Sequence, residues 1–264
     1  MMRRLALRVT VVTTVAVASM TPAHAAAPTA VERPATAQSP AVRNATEAID
    51  DVTVFGTSVQ GRDLIAYRLG TPGGRVVLIL GNVHGDEPRG VDIASRLRLR
   101  EIPEDIDLFV VDTINPDGMA VPQRQNANGV DLNRNFSYGW GYIAPSTVNR
   151  QYSGDAPADQ PETQALEALV RLIQPQITVF YHQDANRISL GGARKEIPAT
   201  YARLVGQTTG STPCTAGCTG TAGSFVNHVV PTGTSFLVEL PNSSVVDSAM
   251  IDRHVDALLT VMVM

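Results

Sequence analysis

Short apolar runs, several of them rich in β-branched residues, punctuate the chain at residues 64–69, 76–80, 108–113, 177–181 and 235–240. Each has the length and composition of a β-strand. Between and after them the period changes. Residues 162–173 begin behind Pro161, stop before Pro175, and place Leu166, Leu169, Val170 and Ile173 on one helical face. Residues 248–261 set Ile251, Val255, Leu258 and Leu259 at helical spacing, with Met262 just beyond. Strands alternating with helices predict an α/β fold: a mixed, mostly parallel central sheet with helices on both faces.

The first 50 residues carry neither pattern. Arg3, Arg4 and Arg8 precede an apolar stretch over 9–20, and Ala23-His24-Ala25 supplies a small-x-small cleavage signal. Residues 1–25 are therefore expected to be a secretory signal peptide; the stretch is too short for a spanning helix. Residues 26–50, rich in Ala, Pro and Thr, are expected to be a flexible linker, leaving 51–264 as one folded domain. Removing three arginines and no acid takes the formal net charge from -4 to -7. The mature chain is then acidic and extracytoplasmic, either secreted or held in the cell envelope, with no stable membrane insertion. With 21 basic against 25 acidic residues it offers no cationic surface for nucleic acid. Two cysteines are too few for a disulfide scaffold or a cysteine metal cluster, so metal chemistry would rest on His and carboxylates.

Such residues gather at strand ends. The 76–80 run leads into Asn82-Val83-His84-Gly85-Asp86-Glu87-Pro88, with Pro88 placed to open a helix. A His and a Glu three apart can present a ring nitrogen and a carboxylate oxygen to one zinc ion, although the pair alone equally describes a solvated turn. The 177–181 run ends in His182. Two His and Glu87 would supply three ligands and leave a fourth position for water. In the last run Phe236, Val238 and Leu240 share one face, and Leu237 and Glu239 the other. A carboxylate there is either the solvated Glu of an edge strand or a partnered, buried group able to act as a general base. Asn115-Pro116-Asp117-Gly118 and the polar stretch from Arg124 to Phe136, which includes Asp131, Asn133 and Arg134, read as long structured loops. Their guanidinium groups could hold a carboxylate or an oxyanion.

Taken in order, His84-Gly85-Asp86-Glu87, Asn115-Pro116-Asp117-Gly118, Arg124, Gly129-Val130-Asp131-Leu132-Asn133-Arg134-Asn135-Phe136, His182 and Glu239-Leu240-Pro241 resemble the zinc metallocarboxypeptidase family. The compact bacterial branch of that family also carries a segment like Gly56-Thr57-Ser58-Val59-Gln60-Gly61-Arg62. The resemblance implies one zinc ion per chain on His84, Glu87 and His182, with Asp131 orienting His84. It further implies Glu239 as the base that takes a proton from the attacking water, Arg124 as the oxyanion donor, and Asn133 and Arg134 as the site for a terminal carboxylate. The expected activity is hydrolysis of an amide beside a free carboxylate in a short peptide, with murein peptides as one class.

Two other functions fit parts of the pattern. An N-acyl amino acid deacylase would share His-x-x-Glu and Asp-Leu-Asn-Arg, and an inactive peptide-binding protein would need neither metal nor base. The chain departs from the larger family members in having no tyrosine after Tyr201, where they carry a mobile one. Asn227 and His228 are the candidates to replace it. Export favours a short disulfide between Cys214 and Cys218 that shapes the cleft rim and stabilises by about 2 kcal/mol at most. His254 is expected on the solvent side of the last helix.

Overall fold

The structure, a computed structural model, describes residues 51–211 and 217–264. The expected signal peptide and linker lie outside the described residues, as does Cys214.

Eight strands form one sheet in the order β1-β2-β4-β3-β5-β8-β6-β7. They are β1 (Val52–Thr57), β2 (Asp63–Gly70), β3 (Arg75–Leu80), β4 (Ile106–Val111), β5 (Ile177–Gln183), β6 (Arg187–Ile188), β7 (Thr208–Thr209) and β8 (Thr234–Leu240). The centre, β4-β3-β5-β8, is parallel. Antiparallel pairing joins β1 to β2, β2 to β4 and β6 to β8. All five strands expected from apolar runs are present; four are extended by a residue or two, and the one expected over 108–113 is shifted two residues towards the N-terminus, to Ile106–Val111. Of the three added strands, β1 is a six-residue edge strand whose apolar positions are largely exposed, and β6 and β7 have two residues each, too few to show a period.

The helices are α1 (Arg89–Leu97), α2 (Pro116–Ala120), α3 (Pro161–Ile173), α4 (Glu196–Val205), α5 (Ala222–Val229) and α6 (Ser248–Val261). Strand alternation sorts the core into two layers. Val77, Ile79, Val179, Tyr181, Phe236 and Val238 pack under α1, α4 and α6. Val76, Leu78, Leu80 and Phe180 pack under α3 and α5. The second face also receives His182 and Glu239, which are register partners at the carboxyl ends of β5 and β8. Chain order reverses between β3 and β5: β3 continues through α1 to β4 on one side, while β5 lies on the other. The diverging loops at such a switch point leave a crevice. Among the described residues no helix is long and apolar enough to cross a membrane.

Two expectations change here. Glu239 belongs to a central strand flanked by β5 and β6 and is 7% exposed, so the solvated edge position does not apply. His254 is 1% exposed and not on a solvent face. Because α6 packs against both α1 and α4, its buried arc is wider than one apolar stripe. His254 Nδ1 lies 2.7 Å from the Tyr201 hydroxyl, which lies 2.6 Å from that of Tyr181. A chain in which Tyr181 donates to Tyr201, and Tyr201 to a neutral His254, satisfies all three groups.

Burial, assisted by the nearby charge of Arg253, pushes the His254 pKa down from 6.5 to about 4. The unfolded chain therefore takes up this proton first as pH falls. The stability present above pH 6.5 is lost progressively towards pH 4, by about 3 kcal/mol for this one group. Denaturant unfolding of wild type and His254→Gln at pH 7 and pH 5 should show a smaller acid loss in the variant; equal losses would contradict the assignment.

Candidate active site

The metal loop is shaped by its neighbours before any ion is considered. Asn82 donates from Nδ2 to the carbonyls of His84 and Glu87 and accepts at Oδ1 from Thr113, which closes the turn. A Cβ on Gly85 would lie 2.0 Å from the Gly118 carbonyl carbon, so the loop stands directly on the 115–118 turn. That turn is held by Asn115 Oδ1, which accepts from Gly118 N at 2.9 Å. Asp117 in turn binds Ser58 Oγ, Gln60 N and the Arg62 guanidinium. The Gly56–Arg62 and Asn115–Gly118 motifs are thus a brace behind the metal loop.

In front of the brace three donors converge. His84 Nδ1 lies 2.8 Å from Glu87 Oε1, His182 Nδ1 lies 2.8 Å from Glu87 Oε2, and the two Nδ1 atoms are 3.0 Å apart. All three residues are buried. Zinc–nitrogen bonds of about 2.0–2.1 Å in a tetrahedron separate ligand atoms by about 3.3 Å, a few tenths of an ångström beyond this spacing. Two inward ring nitrogens and a carboxylate suit a divalent cation of intermediate softness, so His84, Glu87 and His182 would hold zinc. His84 Nε2 is engaged by Asp131 Oδ1 at 3.0 Å, which directs Nδ1 inward.

Asp131 does more than orient His84. Its Oδ1 also accepts from Asn133 N, and its Oδ2 accepts from Arg124 Nε at 3.0 Å and Nη2 at 2.9 Å. Burial favours the neutral acid, but His84 and Arg124 outweigh it and hold the Asp131 carboxyl far below the usual range. Glu87 is likewise held low, burial being outweighed by His84 and His182. Arg124 Nη1 reaches Glu87 Oε1 at 3.2 Å. Of five guanidinium N–H groups three are spent on these carboxylates, and one on each terminal nitrogen is left for substrate.

Asn133 and Arg134 follow on a short 3-10 turn, Leu132–Arg134. Asn133 accepts at Oδ1 from Ala222 N, pinning the start of α5, and its Nδ2 lies 3.5 Å from His182 Nε2. Arg134 is 4% exposed, donates from Nη1 to the Asn133 carbonyl, and has no carboxylate within 4.0 Å among the described residues. Its Nε has no partner. Burial lowers its pKa from 12.5, the opposite of what a bound carboxylate would do. An uncompensated guanidinium in a cleft is a site for an anion.

These residues line one cleft of about 620 Å³ with Glu239, Gln183, Ser189, Leu237 and Asn227. Glu239 faces it from β8 without a hydrogen-bond donor in reach among the described residues. Asn227 holds the cleft wall, accepting from Ser235 N and donating to Ser235 O. His228 does not reach the cleft: it is exposed and stacks on Tyr138, with ring centroids 4.0 Å apart. Cys218 lines the rim, while its expected partner Cys214 lies outside the described residues. Sequence reasoning overlooked Asn82 and Gln183. Gln183 N donates to Glu87 Oε2, and its Oε1 accepts from Arg89 N. Adjacency to His84 and His182 was the available signal for both.

Residues 41–204 match the family model of the zinc carboxypeptidases. The chain belongs to this family. Murein peptide amidase A of Escherichia coli K12 is 37% identical over 138 residues, covering 48% of this chain and 57% of that protein. Carboxypeptidase SOL1 of Arabidopsis thaliana is 33% identical over 118 residues, 40% of this chain and 22% of that protein. The chain thus matches only a little over half the length of its curated bacterial relative. Among solved structures, murein-tripeptide amidase MpaA from Escherichia coli O157 superposes with a TM-score of 0.65 at 26% identity, over 83% of this chain and 95% of that one. Carboxypeptidase A from Helicoverpa armigera has the same fold, with a TM-score of 0.65 at 19% identity over 80% of this chain and 67% of that one. The fold expected from the zinc carboxypeptidase resemblance is the one observed.

If Asp131 sets the zinc carboxypeptidase metal site through His84, Asp131→Asn should weaken zinc binding by about 10- to 100-fold. Competition against a chelator measures this. Unchanged zinc affinity in a folded variant would remove Asp131 from the site.

Proposed function

We propose that this chain is an exported, zinc-dependent carboxypeptidase or amidase that hydrolyses an amide bond next to a free carboxylate in short peptides. Murein peptides containing a γ-D-glutamyl bond to diaminopimelate are the proposed substrate class. The observation that carries the reading is the sharing of one cleft by a convergent His84-Glu87-His182 donor set, an unpaired Glu239 carboxylate and an uncompensated Arg134. The murein-peptide preference is supported by the bacterial amidase relatives. Export is supported by the basic, apolar and small-residue order of positions 1–25.

Each side chain has a part suited to its position. Arg134, with Asn133 beside it, takes the terminal carboxylate and so fixes which amide lies over the metal ligands. Glu239 accepts a proton from the attacking water and returns it to the departing amine. Arg124, held rigid by Asp131 and Glu87, directs its remaining N–H groups at the developing oxyanion. Zinc, when bound, supplies Lewis-acid polarisation of the carbonyl and of the water.

Glu239→Gln should retain stoichiometric zinc, read by metal analysis, while kcat falls by about 10²- to 10⁴-fold. Near-wild-type turnover would exclude Glu239 as the base. Arg134→Ala should act mainly on peptides with a free terminal carboxylate. An equal loss on the amidated peptide would argue against carboxylate docking.

A further inference from the structure

A second guanidinium, half-buried and beside the cleft lining, shares with Arg134 an unpartnered Nε. Arg187, in β6, is the register partner of Glu239 across the antiparallel β6–β8 pair. Side chains directly opposite each other in such a pair stand on the same face with Cβ atoms about 5 Å apart, so Arg187 rises on the cleft side of the sheet next to the proposed base. Its Nη1 donates to the Ser211 carbonyl at 3.2 Å, and a Cβ on Gly210 would lie 3.9 Å from the same nitrogen. Gly210 and Ser211 both line the cleft. No carboxylate approaches Arg187 within 4.0 Å among the described residues, and its buried Nε has no partner.

Other arginines nearby are neutralised. Arg124 is bound to Asp131 and Glu87, and Arg150 to Asp86. At or beside the cleft, only Arg134 and Arg187 among the described residues combine an orphan Nε with a single backbone carbonyl as acceptor. A half-buried guanidinium left in this state is stabilised by an anion supplied from outside. Strand order puts Arg187 on the far side of Glu239 from His182, whereas Arg134 follows Asn133, whose Nδ2 lies 3.5 Å from His182 Nε2.

We infer that Arg187 is a specificity-determining residue that binds a second substrate carboxylate, distinct from the terminal one docked on Arg134. This rests on the proposed peptide hydrolase activity and narrows its substrates to short peptides with two carboxylates near the scissile amide. The second carboxylate has two chemical sources: the α-carboxylate left free on a γ-linked glutamyl residue, or a side-chain carboxylate of the leaving amino acid.

The test uses the zinc-loaded protein and four peptides, with the carboxylate at each of these positions present or replaced by its carboxamide. Wild type should prefer the acid over the amide at one of the positions by about 10- to 100-fold in kcat/KM, expressed in KM. Arg187→Met should collapse that preference to near unity by losing the acid substrate, and Arg187→Lys should restore part of it. The position at which the preference collapses identifies the source. Because β6 is short, the thermal midpoint and zinc content of each variant are measured alongside. If Arg187→Met fails to fold, the wild-type and Arg187→Lys ratios decide: no acid preference in wild type, or an unreduced one in the Lys variant, overturns the inference. A folded Arg187→Met with an undiminished acid preference also overturns it. Absence of hydrolysis of all four peptides by wild type would instead defeat the proposed activity.

Discussion

A single buried carboxylate holds the catalytic end of this molecule together. Asp131 is fully shielded from solvent and still ionised, which is tolerable only because both its oxygens are fully used. One oxygen takes His84 and the Asn133 backbone, and the other takes the fork of Arg124. The His84 ring, the Arg124 guanidinium and the turn carrying Asn133 and Arg134 therefore have one origin of coordinates. His84, Arg124 and the Asn133–Arg134 turn cannot shift independently, which is the condition the proposed chemistry sets for placing a substrate amide to within a fraction of an ångström.

The sheet supplies the other half of the geometry. Parallel pairing of β5 and β8 puts His182 and Glu239 side by side, and the antiparallel addition of β6 puts Arg187 on the far side of Glu239. Backbone hydrogen bonds fix that row, whereas the residues tied to Asp131 come from loops. The cleft is thus the seam between a wall set by strand register and a wall set by one buried charge.

Much of this arrangement was legible in the residues themselves. The strands bearing the site are short apolar runs with no competing helical period, and ionisable residues stand in or just after their carboxyl ends: His84 and Glu87 in the loop after β3, His182 and Glu239 next to last in β5 and β8. His84, Glu87, His182 and Glu239 could be picked out for that reason. What escaped depends on contacts between segments distant in the chain. β6 and β7 have two residues each and exist through pairing to β8 and to each other. His254 was assigned to solvent because its own helix shows one apolar stripe, and only the second neighbour of that helix buries it. Arg187 carries no local signal at all, since its meaning lies in the residue opposite it.

The position of β8 in the sheet also orders events in time. It pairs with β5 on one edge and β6 on the other, yet it follows both in the chain. Until β8 arrives, β5 has an open edge and β6 lacks its partner in the sheet, so closure is a late, long-range step of the kind that slows folding. Glu239 is part of that strand. The polypeptide acquires the carboxylate proposed as its proton acceptor in the same event that completes its sheet, so a chain emerging N-terminus first lacks that group until the sheet has closed.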